Sequence, residues 1–155
     1  MTAYAELMAF QRETEALAQI MGRLGWDQEC MMPRGAAHQR GEEMAAMESV
    51  LHARRTDHRL ADWLEHSVAL DEDSHANLRL IRRQYNRALK VPARLATEIA
   101  RVTSVAQGIW AEARADEDVG AFLPVLEQVV ALKREEGQAL AGSGDPYDAM
   151  LNDYE

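Results

Sequence analysis

The sequence lacks disulfide partners and membrane-length apolar runs, and it is poor in aromatic residues. A single cysteine, Cys30, excludes an internal disulfide and is typical of a reducing compartment. No uncharged apolar stretch is long enough to span a bilayer, and the first residues carry no basic signal-peptide region. Aromatic residues make up only 6% of the chain, whereas Ala, Leu, Met, Glu and Arg are abundant, which favours helix over strand. We therefore expect a helical, cytoplasmic protein.

Positive charge is also scarce. The formal net charge is −9 for 155 residues, and a protein that binds nucleic acid needs cations to displace the counterions of the phosphate groups. The same acidity opposes binding to an anionic membrane surface. The sequence therefore predicts neither a nucleic-acid partner nor a membrane partner. A hydrophobic content of 47% at this length is enough for the core of one globular domain.

Apolar residues recur at alternating steps of three and four along most of the chain, which is typical of amphipathic helices. The stripe that contains Leu7, Phe10, Leu17 and Leu24 is the first of these. We expect an all-α fold of six or seven mostly antiparallel helices, forming one domain or fragment over residues 1–155. The predicted helices cover 2–24 and 36–54, begin near 57, 71 and 92, include Pro124 in a first turn, and begin again at Asp145 and Pro146.

Residues 26–35 are predicted to connect the first two helices. Gly25 is a candidate C-terminal cap of the first helix, Pro33 disfavours helix at the residue before it, and Gly35 adds a second break. The segment contains Trp26 and other large apolar residues, which is unusual for a loop. We therefore expect it to be tucked against the protein rather than exposed to water.

Most motifs that carry chemistry are missing. There is no glycine-rich phosphate loop, no CxxC, no GxSxG, and no HExxH, the helical histidine pair that holds zinc beside a general base. Acid–histidine pairs at helical spacing do occur, but exposed local pairing explains them better than metal binding. These pairs are His38/Glu42, Asp62/His66 and Asp71/His75.

Two further features have a functional and a structural interpretation. Cys30 is a possible nucleophile if a base lowers its pKa, although a small buried thiol or an idle one is the better prediction. A basic stripe runs along the fourth helix and could dock acidic groups of a partner, although a solvated face paired with neighbouring acids is favoured. The stripe consists of Arg79, Arg83, Arg87 and Lys90.

Several blocks of the sequence resemble the carboxypeptidase Taq family of metallocarboxypeptidases. The strongest block is Leu24-Gly25-Trp26-Asp27-Gln28-Glu29, followed by Met32-Pro33 and Gly35. Other similar blocks follow in the family's order, so the resemblance covers essentially the whole chain. These blocks are 45–52, Ile81-Arg82-Arg83-Gln84-Tyr85 with Val91-Pro92, Leu132-Lys133-Arg134-Glu135-Glu136 and 147–155.

The resemblance implies the N-terminal part of a longer, almost wholly helical enzyme. Such enzymes remove C-terminal residues from peptides with a divalent metal, zinc, and are usually homodimers. Their metal ligands and catalytic glutamate lie in an HExxH helix and beyond it, and no position here corresponds to them. The resemblance therefore assigns no catalytic residue and no metal ligand to this chain. It implies a shared loop motif that consists of Trp26, Asp27, Gln28, Glu29, Pro33 and Gly35.

Two roles for the loop motif remain open, namely fixing the turn between two helices and packing against a catalytic part. Two functions also remain open for the chain. It could be the N-terminal region of a metallocarboxypeptidase, inactive alone, whose partner is the remainder of the enzyme or a second subunit. It could instead be a stand-alone, non-catalytic interaction or dimerisation module. The seventh predicted helix has little room to finish before Glu155, which favours a longer natural chain.

Overall fold

A computed structural model describes residues 2–151, and within that range it contains seven α-helices and no strand. This architecture confirms the predicted all-α class. A short 3₁₀ turn, Arg34–Ala36, connects the first two helices. The helices are α1 (Ala3–Cys30), α2 (Ala37–Arg55), α3 (Arg59–His66), α4 (Glu72–Ala88), α5 (Ala93–Ala115), α6 (Val119–Ala141) and α7 (Pro146–Leu151).

The first two long helices are antiparallel neighbours. Arg40 near the start of α2 reaches Leu24 near the end of α1, whereas Arg54 at the end of α2 reaches Phe10 near the start of α1. The α2 helix packs against α5 as well as α1, and α5 packs in turn against α6. Because α2 contacts both α1 and α5, it joins the two sides of this part of the fold.

Side chains at the predicted helix starts satisfy the free backbone amides there. Asp71 accepts a hydrogen bond from the Ser74 amide at 2.7 Å, and the Ser74 hydroxyl accepts one from the Asp71 amide at 3.0 Å. This reciprocal capping box begins α4 at the start that was predicted near residue 71. Asp118 caps α6 in a similar way, accepting from the Ala121 amide at 3.1 Å.

A buried apolar cluster lies where α1, α3 and α4 meet. The Arg54 guanidinium lies 4.0 Å from the centre of the Phe10 ring, and the Trp63 ring lies 5.4 Å from it at a tilt. The Trp63 indole nitrogen donates a hydrogen bond to Glu6 at 3.0 Å, so its polar atom is satisfied. The buried members are Leu7, Phe10, Leu60, Leu64 and Ile81.

The first helix is longer than predicted, and the loop predicted over residues 26–35 is wrong for its first half. The helix continues through Gly25 to Cys30, so Trp26, Asp27, Gln28 and Glu29 are helical. A glycine inside a helix costs only about 1 kcal/mol, which packing of the last turns can offset. Pro33 determines the end instead, since it disfavours helix just before it.

Part of the basic stripe on α4 contacts the rest of this chain. The Lys90 ammonium, just after α4, donates to the Leu140 carbonyl of α6 at 3.0 Å, and the Arg87 guanidinium donates to the Ala149 carbonyl of α7 at 3.2 Å. Cations near the carboxyl end of a helix are favourable for the helix dipole as well as for its free carbonyls. Two members of the stripe therefore fasten α4 to the last two helices.

The C-terminal block of the family resemblance lies only partly within the described residues. The C-terminal block 147–155 is described only to Leu151, so residues 152–155 lie outside the described range. Within that range no helix combines the length and the apolar character that crossing a membrane requires.

Gly41 lies at a close approach between α2 and α5. It is buried, and a Cβ atom there would lie 2.9 Å from a methyl carbon of Val105 and 3.3 Å from the Arg101 carbonyl oxygen. Both neighbours are stiff, because one is a β-branched side chain and the other is backbone. Glycine at this position therefore sets the distance between the two helices.

We expect Gly41→Ala to destabilise the fold by about 1 to 2 kcal/mol, because overpacking outweighs the gain in helix propensity. Gly22→Ala is the matched control, since Gly22 is exposed on α1 and a Cβ atom there would meet no packing neighbour within 4 Å. That control should gain about 0.5 to 1 kcal/mol. Urea denaturation of both variants measures the difference, and equal stabilisation by the two substitutions would contradict the close approach.

Candidate functional site

The last two turns of α1 form a junction with α2 and α5. They contain block 24–29, which carries the strongest resemblance to a known family. Consecutive helical residues point about 100° apart, so neighbours in this block face different surroundings. Asp27 faces α2, Gln28 faces α5, and Trp26 faces solvent with 62% of its surface exposed. We treat this junction as the candidate functional site.

Arg40 on α2 is the buried centre of the junction. Its guanidinium donates to the Asp27 carboxylate at 2.5 Å and to the Glu43 carboxylate at 2.9 Å. A third hydrogen bond reaches the Leu24 carbonyl. The hydrogen bond with Asp27 is the main reason why the pKa of Arg40 is raised above its usual value. The side chain is buried, but each of these partners compensates its loss of hydration.

Gln28 makes the corresponding connection to α5. Its amide nitrogen donates to the Ser104 carbonyl at 2.8 Å, and its amide oxygen accepts from the Ser104 hydroxyl at 2.7 Å. The Gln107 side chain lies 3.4 Å from the same amide nitrogen. A neutral side chain that both donates and accepts across a helix pair fixes the rotation of α1 against α5. Asp27 and Gln28 therefore hold the end of α1 against α2 and α5.

A groove of about 490 Å³ runs beside these contacts, between the end of α1, the 3₁₀ turn and α5. Its polar lining includes Glu29, His38 and Glu112, and its apolar lining includes Met32 and Ile109. Among residues 2–151, no three His, Cys, Asp or Glu side chains are placed to hold a metal ion together. The groove offers hydrogen-bonding and apolar contacts to whatever covers it.

The exposed members of the block correct the predicted tucked-in segment. Trp26 and Met31 are largely exposed, and Pro33 and Gly35 lie at the surface around the 3₁₀ turn. Cys30 is also exposed, so the interpretation as a small buried thiol is wrong. The side chains that hold this region in place are the polar ones, because they find partners on two other helices.

The acid–histidine pairs are local surface features. His66 lies 3.2 Å from the Asp62 carboxylate, and both side chains are mostly exposed. A hydrogen bond to the Asp62 carbonyl raises the pKa of His66, and the nearby carboxylate adds to that effect. Asp71 is used in the capping box, and Glu42 pairs with Arg101 of α5 at 2.7 Å. This arrangement agrees with the predicted solvated pairing.

Sequence reasoning missed Arg40 and Ser104. Arg40 precedes the inward-facing Met44 by four residues, so it lies in the same helical stripe as that apolar residue. The position of Arg40 in an apolar stripe was a signal that its side chain is buried. It did not indicate that the Asp27 carboxylate would be its partner. The role of Ser104 depends partly on its backbone carbonyl, which the sequence does not mark.

Comparison with known proteins gives a consistent result. The family model described as Carboxypeptidase Taq (M32) metallopeptidase matches residues 6–155. Thermostable carboxypeptidase 1 of Thermus thermophilus is 40% identical over 99% of this chain, and the protein of that name from Pyrococcus furiosus is 26% identical over 97%. The match covers 33% and 31% of those proteins, so the chain spans about a third of their length.

Solved structures match the fold as well. The structure of Pyrococcus furiosus carboxypeptidase aligns with a TM-score of 0.74 at 26% identity, covering 99% of this chain and 31% of that one. The crystal structure of BsuCP aligns with a TM-score of 0.89 over 97% of this chain and 31% of that one. At 21% identity, the second match supports the fold alone.

We expect Arg40→Met to destabilise the fold by about 2 to 4 kcal/mol, since it removes three hydrogen bonds and leaves Asp27 without its cation. Arg94→Met is the control, because Arg94 also pairs across helices, with Glu135, but at an exposed position. Its loss should cost no more than about 1 kcal/mol. Equal midpoints for the two variants in urea denaturation would show that the buried junction contributes no more than a surface ion pair.

Proposed function

The chain belongs to the carboxypeptidase Taq (M32) metallopeptidase family, and we propose that it forms the N-terminal helical region of a metallocarboxypeptidase that removes C-terminal residues from peptides. One observation carries the proposal. The family match runs through residues 6–155, yet the chain spans only about a third of the curated relatives. Alignment of 99% of this chain with a longer carboxypeptidase chain supports the same interpretation.

In this proposal the helices form one wall of a substrate groove, and Trp26 packs against the catalytic part. Asp27 and Gln28 are already bonded to α2 and α5, whereas Trp26 and Met31 present large apolar surfaces to solvent. Tryptophan is rarely so exposed unless another surface covers it. Met31 lines the 490 Å³ groove, which supports a contact with the catalytic part at that edge.

The metal, which we propose is zinc, is bound by residues outside this chain. A catalytic zinc site needs three protein ligands and an open position for water. The described side chains do not fit this requirement, since residues 2–151 contain no suitable group of three. We therefore propose that the chain has no peptidase activity alone. Its residues position and stabilise the wall and take no part in bond cleavage.

The proposed partner is the remainder of the enzyme, or a second subunit in a homodimer, in the cytoplasm. The lone Cys30 and the net charge of −9 support a reducing compartment and no nucleic-acid or membrane partner. A second candidate function is a stand-alone, non-catalytic interaction module. Exposed apolar residues on α6 favour that candidate, because contiguous apolar surface is typical of interaction sites.

The intact mass of the endogenous protein distinguishes the two candidates. We expect an antibody raised against this chain to capture a protein much heavier than 17.4 kDa from the source cells. A captured mass of 17.4 kDa would instead support the stand-alone module.

The purified chain should release no C-terminal amino acid from peptides, with or without added Zn²⁺, because its described residues include no suitable set of metal ligands. Thermostable carboxypeptidase 1 of Thermus thermophilus serves as the positive control under the same conditions. Metal-dependent release by the 155-residue chain would contradict the proposed division of roles.

A further inference from the structure

The α6 helix has two apolar seams on different faces. Residues spaced by three and four that face α5 form the inner seam, and a second set with the same spacing forms the outer seam. The inner seam is Phe122, Val125, Val129 and Leu132, all buried or half-buried. The outer seam is Val119, Leu123, Leu126 and Val130, which are 69%, 47%, 37% and 38% exposed.

Two seams are more than the described neighbours of α6 can cover. Glu127 is the only charged residue between Val119 and Leu132. A helix that is apolar all round is typical of a buried position, and a seam with spacing of three and four normally packs against another helix. The α6 helix packs against α5 and α7, and the outer seam still faces solvent.

An apolar pocket lies at one end of the outer seam. It has a volume of about 340 Å³ and lies where the end of α5 meets the start of α6, between Trp110, Ala113, Val119 and Phe122. Trp110 is itself half-exposed. The pocket is large enough for an apolar side chain from a covering element, so it extends the seam into a continuous docking surface.

We propose that the outer seam docks an amphipathic helix from the part of a longer family chain that follows these residues. This inference rests on the proposed function. The relatives are about three times as long as this chain, so they have ample chain for such a helix. Gly137 of α6 lies against Pro146 and Met150 of α7, so the last described helix already lies beside the helix that needs covering.

The charges around the outer seam indicate the chemistry of its occupant. Acidic residues border it at the turn between α5 and α6 and at Glu127, and they outnumber the one basic residue that lines the pocket, Arg114. A covering helix with basic residues beside its apolar stripe would complement them. A second copy of this chain would bring the same acids together at a net charge of −9 each, which opposes association. The acids at the turn are Asp116, Glu117 and Asp118.

A full-length chimera tests the proposal. Residues 1–155 replace the matched third of Thermostable carboxypeptidase 1 from Thermus thermophilus, the 40% identical relative. Leu123→Glu places a charge on the outer seam. Leu80→Glu on α4 is the matched control, because Leu80 is 49% exposed and Leu123 is 47% exposed, both within helices. Each variant is also made in the 155-residue chain.

If the outer seam is covered, Leu123→Glu lowers the melting temperature of the chimera by about 5 °C or more, whereas Leu80→Glu changes it by about 1 °C. In the 155-residue chain the two variants should have equal small effects, because both positions face solvent. Amide exchange over residues 119–131 should also be at least about tenfold slower in the chimera than in the 155-residue chain.

Three results would overturn the proposal. The first is an equal change in melting temperature for the two variants in the chimera. The second is a chimera that fails to fold where the native relative folds, since this chain's surface would then not fit the remainder. The third is a dimer of the 155-residue chain that Leu123→Glu abolishes, which would make the occupant a second copy.

The intact mass of the endogenous protein tests the proposed function separately from the seam. A mass well above 17.4 kDa together with equal variant effects would retain the N-terminal region and reject only the docking surface.

Discussion

The fold depends on the position of α2, which packs against both α1 and α5, and two adjacent residues of α2 make the most constrained of these contacts. Arg40 faces α1 and bonds to its last turns, while Gly41 faces α5 and lets the two backbones approach closely. A buried cation must keep its hydrogen-bond partners to compensate for lost hydration. At a buried glycine, the space left by the absent side chain must be filled by a close neighbour on the facing helix. Together these requirements fix the spacing and the rotation of three long helices.

The residues of block 24–29, which carries the strongest family resemblance, are divided between interior contacts and the exposed surface. Asp27 and Gln28 use their polar atoms to hold α1 against two other helices. Trp26, one residue earlier, points into solvent. A single helical turn thus secures the bundle and at the same time presents an apolar surface. The α6 helix is divided in the same way, since its inner seam packs against α5 while its outer seam faces solvent.

Much of the fold could be predicted from local signals. A helix start near residue 71 was predicted, and Asp71 caps α4 there. Apolar spacing identified the buried face of α1. The end of α1 could not be predicted, because Gly25 is a local signal for a stop and the contacts that extend the helix come from distant residues. Arg40 was missed for the same reason, as its partners on α1 lie 13 to 16 residues away.

The bonds that α4 makes to α6 and α7 have a consequence for how the sequence can vary. Lys90 and Arg87 each donate a hydrogen bond to a main-chain oxygen, at residues 140 and 149 respectively. Every amino acid supplies that oxygen, so mutation at either accepting position leaves the acceptor in place. These two hydrogen bonds therefore constrain the donor side chains more than the acceptor side chains. A change of side chain at residue 149 can therefore leave the hydrogen bond from Arg87 in place, whereas residue 140 is restricted by its buried packing rather than by the bond to Lys90.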